Sequence, residues 1–423
     1  VPRWLAERMA RLGRVVVEAL VIHYGRDEVL RRLSHPFWFQ SLGAVMGMDW
    51  HSSGITTSVI GALQRGLAPV ADELGLWVCG GRGRQSKKTP GQLLQLSERT
   101  GLDGAQLVRT SRLVAKVDNS AVQDGFQIYL HAFIVAADGS WTVVQQGMDP
   151  NKGQARRYHW LSQDVCSFVE DPHAAIEGQQ GGDIINLADR RAAQSRARGL
   201  ELIQQGPESA LRQFRAVKGA PEVVQDVLPH LIMPEHHDVR PQNIVERRLF
   251  GALAAAEAAA PETFEELLLT PGLGPRTLAS LALVSEVVHG APSRFSDPAR
   301  FSMAHGGKDG HPFPVPLDVY DGTLRVFRSA ITASNLGRQD QLEALKRLDQ
   351  EARRLERYAT GPVSADYMAQ ERARAHTFGG RTVMGVARPT STPARRDPGV
   401  MPKPRRRRGA PGPRARQPDL PGL

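Results

Sequence analysis

The run Phe126 to Ile134, "FQIYLHAFI", repeats with a period of two and leads at once into Asp138-Gly139 and "WTVVQQGM". Side chains alternate across a strand, so this pattern specifies one face of Phe126, Ile128, Leu130, Ala132 and Ile134 and an opposite face of Gln127, Tyr129, His131 and Phe133. Asp-Gly is the dipeptide that supplies positive φ at both centres of a type I′ turn. The result is an antiparallel hairpin in which cross-strand partners sum to 277, so that His131 faces Gln146. The expectation is a small antiparallel sheet near 107–150.

The rest of the chain reads as helix. Leu5, Met9, Leu12, Val16 and Leu20 recur at spacings of three and four, residues 3–76 form helices, and "HPFWF" after Leu33 separates the first helix pair from the next segment. "CGGRGRQSKKTPGQ" is a loop. It ends in Thr89-Pro90 with Gln92 three positions after the threonine, a capping box opening a helix to about Glu98. Helix resumes from about 183, with a long charged helix at roughly 338–358. The fold class is therefore mainly α with a small antiparallel β-sheet (α+β). The domains expected are an N-terminal α+β domain over 1–180, a helical domain over 183–360, and a disordered, basic tail rich in Pro, Gly and Arg over 361–423.

Composition matters mainly through where the charge sits. The net charge is +10, and Arg381 to Leu423 alone carries eleven Arg or Lys against two Asp, a net of +9. Such a tail is a sequence-blind arm for polyanions or a solubilising extension. Two cysteines, Cys79 and Cys166, are too few for a disulfide framework or an iron-sulfur cluster. No apolar run approaches the roughly 20 residues that span a bilayer, so the expectation is a cytoplasmic protein with no membrane partner. A short stretch bearing the initiator methionine is expected before Val1.

"LLLTPGLGPRTLASLALVSEVVHG", Leu267 to Gly290, encodes two helices joined by a turn with two glycines and two prolines. The reading is a short helix over 262–269, a turn over 270–275 plugged by Leu273, and a second helix over 276–289 with Leu278, Leu281, Ala282 and Val288 inward. Gly272 and Gly274 permit unusual dihedrals or a close approach, and the free N–H groups at the start of the second helix form a phosphate cradle. The stretch resembles the helix-hairpin-helix motif of DNA repair proteins. That resemblance implies a grip on the phosphate backbone of DNA or RNA without base readout, through Gly272, Leu273, Gly274, Arg276 and Thr277. It is also similar to the DNA glycosylases related to endonuclease III, whose catalytic aspartate would fall at Asp297. Here, however, Arg276 stands where bifunctional members carry a lysine nucleophile, and Asp297 before Pro298 reads as a helix cap in preference to a catalytic acid.

Three constellations compete for chemistry. In "GMDWHSSGITT", Asp49, His51, Ser52, Ser53 and Thr56 suit an anion nest. On or beside the sheet, Asp118 and Asp124 could hold a divalent metal such as Mg or Mn, with Lys116, His131, Gln146 and Asp149 nearby, and Arg156, Arg157 and Trp160 offer a basic and aromatic surface for single strands. The third, "PEHHDV", places Glu235, His236, His237 and Asp238 together, of which at most two could be ligands. Lys308 and Asp309 in "MAHGGKDGHPFPVP" could place an ammonium and a carboxylate near a scissile phosphate.

Three long phrases, at 35–67, 111–160 and 301–321, identify a likeness. The chain resembles domain-of-unknown-function family 763, proteins of archaea and bacteria, over about residues 1–360. The family carries no settled activity. Three functions fit the residues: a metal-dependent nuclease of DNA repair type, a glycosylase, and a non-catalytic DNA-binding or scaffold protein.

Overall fold

The computed structural model describes residues 3–48, 54–149, 153–218 and 246–299, with 325, 329, 332, 373, 381–382 and 385–386. All of these lie in one compact unit, residues 1–387; the second unit, 388–423, lies outside the described residues, as do most of the expected tail and the expected helix at 338–358.

Helices α1 (Arg3–Tyr24), α2 (Arg26–Ser34), α3 (Pro36–Val45), α4 (Ile55–Leu67) and α5 (Ala71–Leu74) come first. The spacing of three and four does its work: Met9, Leu12, Val16 and Leu20 are all buried, against Val59, Ile60 and Leu63 of α4 among others. α1 and α4 approach so closely that a Cβ on Gly66 would lie 2.1 Å from the Ala10 carbonyl oxygen.

The sheet is larger than expected. Strands β1 (Leu76–Arg82), β3 (Gln127–Ala136), β4 (Trp141–Asp149), β5 (Gln154–Leu161) and β6 (Ala175–Glu177) pair antiparallel in the order β1-β3-β4-β5-β6. Residues 107–116, assigned to the sheet in sequence, belong instead to α7 (Gly104–Lys116). β1 escaped notice because "LWVCGGR" lacks alternation: its glycines let the backbone pass close to β3, where a Cβ on Gly80 would meet the His131 carbonyl oxygen at 2.2 Å. The capping box does not form. Lys88 occupies the cap position of α6 (Thr89–Thr100), the Thr89 hydroxyl donates to Ser86 O, and Gln92 Oε1 is taken by the Gly80 N–H at 2.6 Å.

The β3–β4 register is shifted by one from the expected pairing, with His131 opposite Gln145 and Leu130 opposite Gln146. The cause is the turn. Ala136 N–H donates to Ser140 O and Gly139 N–H to Ala136 O, a three-residue loop in which only Gly139 takes positive φ, +86°. Asp138 stays in ordinary backbone space and accepts from the Ser140 amide instead. A second irregularity, a bulge between Ile128 and Leu130, breaks the alternation, so Ile128 packs on one side of the sheet and Tyr129 and Leu130 on the other.

Both faces of the sheet are covered. Leu130, Ala132, Ile134, Val144 and Leu161 pack under α1–α4, while Phe133, Val135, Val143, Tyr158 and Trp160 pack under α6, α7 and later helices. Those later elements are α8 (Ala193–Gln204), α9 (Pro207–Lys218), α10 (Glu246–Ala259), α11 (Phe264–Leu269) and α12 (Pro275–His289). A second sheet joins β2 (Val122–Gln123), β7 (Asp183–Asn186) and β8 (Arg294–Ser296). It ties 122–123 to 294–296 across the boundary expected near 180, and one apolar core runs from Ala71 to Ala299.

Candidate nucleic-acid interface

The glycine-proline turn is where the sequence put it. The Thr263 side chain accepts from Glu266 N–H to cap α11, Leu273 is buried in the plug position, and Gly272 takes φ +83°, the left-handed conformation that glycine permits. Gly274, the N-cap of α12, is extended (φ −123°, ψ 178°), and its carbonyl accepts from Thr277 and Leu278 N–H. Leu278, Leu281 and Ala282 point inward as expected, but Val288 is 47% exposed, because the helix ends at Gly290 beyond the last core turn. Thr277 is buried.

Two neighbours orient the turn. Lys116 Nζ donates to the Leu273 carbonyl at 2.7 Å, and Gln123 Nε2 donates to the Pro275 carbonyl at 2.8 Å. In a trans peptide the N–H points opposite to the C=O. Tying these carbonyls inward therefore turns the Gly274 and Arg276 N–H groups outward, and neither donates to a backbone acceptor among the described residues. Pro271, Gly272, Pro275 and Arg276 are exposed, and the Cβ positions of Gly272 and Gly274 face open space. Burial lowers the Lys116 pKa, and its ammonium adds positive charge behind the turn. The result is two outward amides, an exposed guanidinium and a 15-residue helix N-terminus on one small surface.

The residues expected to form a metal site and a basic surface sit elsewhere, inside the protein. Arg156, Arg157 and Trp160 are 1%, 4% and 0% exposed. Arg156 Nη1 donates to Asp124 Oδ2 at 2.8 Å and to Asp297 Oδ1 at 3.0 Å, its Nη2 reaches Asp297 Oδ2 at 2.6 Å, and its guanidinium stacks 4.4 Å from the Phe126 ring centroid. Burial works to lower its pKa, yet Asp124 and Asp297 outweigh that and hold it above its ordinary value. Arg157, on the opposite face, donates to Gln40, Thr56 and His159 and pairs with Glu177. They are a buried ion-pair lattice and not a surface, because strands covered on both faces must bury whatever charge they carry with partners.

Asp118 is not at a strand end but in the π-helical turn Val117–Ala121 after α7. Its carboxylate is saturated by Trp160 Nε1 at 3.0 Å, His173 Nε2 at 2.5 Å and Gln145 Nε2. Asp124 accepts from Arg156, from the Tyr158 hydroxyl at 2.6 Å and from Phe126 N–H; burial raises its pKa in spite of the Arg156 charge. The two carboxylates have different partners, and no group of three or more His, Cys, Asp or Glu suited to a metal ion occurs among the described residues. His131 Nδ1 lies 2.7 Å from Gln145 Oε1, which can only accept, so Nδ1 carries the proton and Nε2 accepts from Ser111 Oγ at 2.9 Å. This Ser-His-Gln chain has the order of a nucleophile relay. Ser111 and His131 are nevertheless 3% and 4% exposed, so the chain is closed to solvent; burial lowers the His131 pKa.

Asp297 is closed to solvent, and the residues that would follow it in a capped helix lie, from 300 on, outside the described residues. It is 1% exposed and accepts from Arg156, Gly181 N–H at 2.7 Å and Ala299 N–H at 2.9 Å. Thr56 is buried against Arg157. Asp49, His51, Ser52, Ser53, Glu235, His236, His237, Asp238, Lys308 and Asp309 lie outside the described residues. Sequence reasoning missed Gln123, His173, Glu177, Gln40 and Ser111; only Gln123, three residues before the alternating run, carried a polar signal near the relevant strand.

A family model, "Protein of unknown function (DUF763)", matches residues 1–315. The chain belongs to this family. The match spans the sheet, its covering helices and the hairpin, and it ends short of the expected 360. No curated protein and no solved structure matches the chain. Among the described residues, no helix is long and apolar enough to cross a membrane.

Proposed function

We propose that this DUF763 protein binds nucleic acid without sequence preference, gripping the phosphodiester backbone at the 270–276 hairpin in a DNA repair or processing role. One observation carries the reading: Lys116 and Gln123 hold the Leu273 and Pro275 carbonyls inward, so that the Gly274 and Arg276 amides face solvent beside open glycine Cβ positions. A phosphate oxygen is the ligand such a nest fits, and DNA is the partner with RNA as the same chemistry. The binding-protein form is favoured over the nuclease and glycosylase forms, because Asp118, Asp124, His131 and Asp297 are all buried and bonded to protein groups. A catalytic form, with Mg or Mn, would draw on residues outside those described: Lys308 and Asp309, the Asp49–Ser53 segment, or Glu235 to Asp238.

The test is fluorescence anisotropy on duplex and single-stranded oligonucleotides of mixed sequence, with a parallel cleavage assay in Mg. Gly274→Ala is the informative variant: its backbone is unstrained and its Cβ enters open space, so the fold is kept while the phosphate is pushed away. The expected loss is at least tenfold, about 1.4 kcal/mol. Unchanged affinity in the folded variant would remove the clamp, and Mg-dependent cleavage abolished by EDTA would restore the nuclease.

A further inference from the structure

The end of β1 and the 3₁₀ turn Gly83–Lys88 that leads from it into α6, here called the 82–88 loop, carry Arg82, Arg84, Lys87 and Lys88, all exposed, and none is ion-paired among the described residues. No Asp or Glu occurs from Leu76 to Ser97, nor along the whole of α7. The loop is firmly built. Gly80, Gly81 and Gly83 take φ of +88°, +124° and +59°, Gln92 holds the Gly80 N–H, Gln64 donates to Gly80 O at 2.8 Å, and Ser86 Oγ donates to Gly83 O at 2.6 Å. The Arg82 guanidinium lies 5.9 Å from the Tyr129 ring centroid.

The topology brings this loop to the same end of the molecule as the hairpin. α6 and α7 form an antiparallel pair, since a Cβ on Gly104 would touch Ser97 and Leu94. Their connection sits at the β3–β4 turn, where Leu102 is 3.9 Å from the Cβ position of Gly139. The start of α6 and the end of α7 therefore both lie at the other end of the sheet. There Thr89 touches the Gly80 position, Gly81 pairs with His131, His131 bonds to Ser111, and one and a half turns later Lys116 holds the hairpin. With packed helix axes 8–10 Å apart, loop and hairpin are separated by something on the order of 20 Å, about six base pairs of duplex at ~3.4 Å each.

We infer that the 82–88 loop is a second phosphate-binding surface, which continues the hairpin's site into one cationic track along a nucleic-acid backbone. This rests on the hairpin being a nucleic-acid clamp. The hairpin supplies two fixed amides and one guanidinium, and residues 82–88 supply four cations with no Asp or Glu between Leu76 and Ser97 and no ion pair among the described residues.

The test measures affinity of the full chain for a 20-base-pair duplex of mixed sequence across a salt series, for four proteins. They are wild type, the loop variant Arg84→Gln/Lys87→Gln/Lys88→Gln, the hairpin variant Gly274→Ala, and a control, Arg26→Gln/Arg99→Gln. The control cations lie at the opposite end of the sheet, beside Leu74 and Asp72. Releasing about 0.9 counterions per contact, three lost cations flatten the slope of log affinity against log salt by between two and three, and the control leaves it unchanged. If the loop variant keeps the wild-type slope while Gly274→Ala weakens binding, the track is refuted and the clamp stands. Equal flattening by the control also overturns the track. Absence of wild-type binding at low salt removes the clamp and the track together.

Discussion

Asp297→Asn separates a structural aspartate from a catalytic one, and the structure sets the size of the effect. The carboxylate accepts four N–H groups, two from Arg156 and one each from Gly181 and Ala299, at 2.6 to 3.0 Å. Asparagine keeps one acceptor oxygen, turns an NH₂ toward donors and leaves the Arg156 charge with Asp124 alone. Removing one partner of a buried ion pair costs about 3–5 kcal/mol, and because Asp124 remains the lower end applies, about 3 kcal/mol. With a urea dependence of ~3 kcal/mol per M, the unfolding midpoint falls by roughly 1 M. Equilibrium urea unfolding followed by far-UV circular dichroism reads this directly, with the exposed Arg276→Gln as a variant expected to unfold like wild type. A midpoint unchanged by Asp297→Asn would refute the ion-pair lattice and return Asp297 to the role of a substrate-facing acid.

Acid should destabilise the fold steeply. His131 and His159 have pKa values depressed by burial, His159 with Arg157 beside it, and burial with the Arg32 charge pushes His35 down to about 4. Their stabilisation is complete above the unfolded value near 6.5 and is lost as pH falls toward the folded values, at up to about 1.4 kcal/mol per pH unit for each histidine; a flat stability between pH 7 and 5 would contradict this. Cys79 is buried and its thiol is pushed up to about 11, whereas Cys166 is exposed, so a thiol reagent should titrate one cysteine in the native chain and two in urea. Gly66→Ala would drive a Cβ into the Ala10 carbonyl, and forcing α1 and α4 apart should cost about 1–3 kcal/mol by thermal unfolding.

Local periodicity and turn chemistry were enough to determine the class of fold and the hairpin. The pattern of three and four in α1, the alternation of β3 and the Pro-Gly-Leu-Gly turn each act within a few residues, so their physics is written in consecutive letters. Turn conformation already needed more: the choice of a three-residue loop over a two-residue one rested on Asp138 and moved the β3–β4 pairs from Leu130 to Val135 by one, and the bulge at Tyr129 moved the pairs before it by one more. Only the tertiary structure decided the fate of the charges. Arg156 reads as a surface cation until Asp297, 141 residues away, neutralises it, and Asp118 reads as a metal ligand until His173 and Trp160 take its oxygens. A charged side chain's role depends on its dielectric surroundings and on partners brought from distant segments. The same dependence works in the other direction at the hairpin, where Lys116 and Gln123 aim amides that the motif alone leaves unaimed.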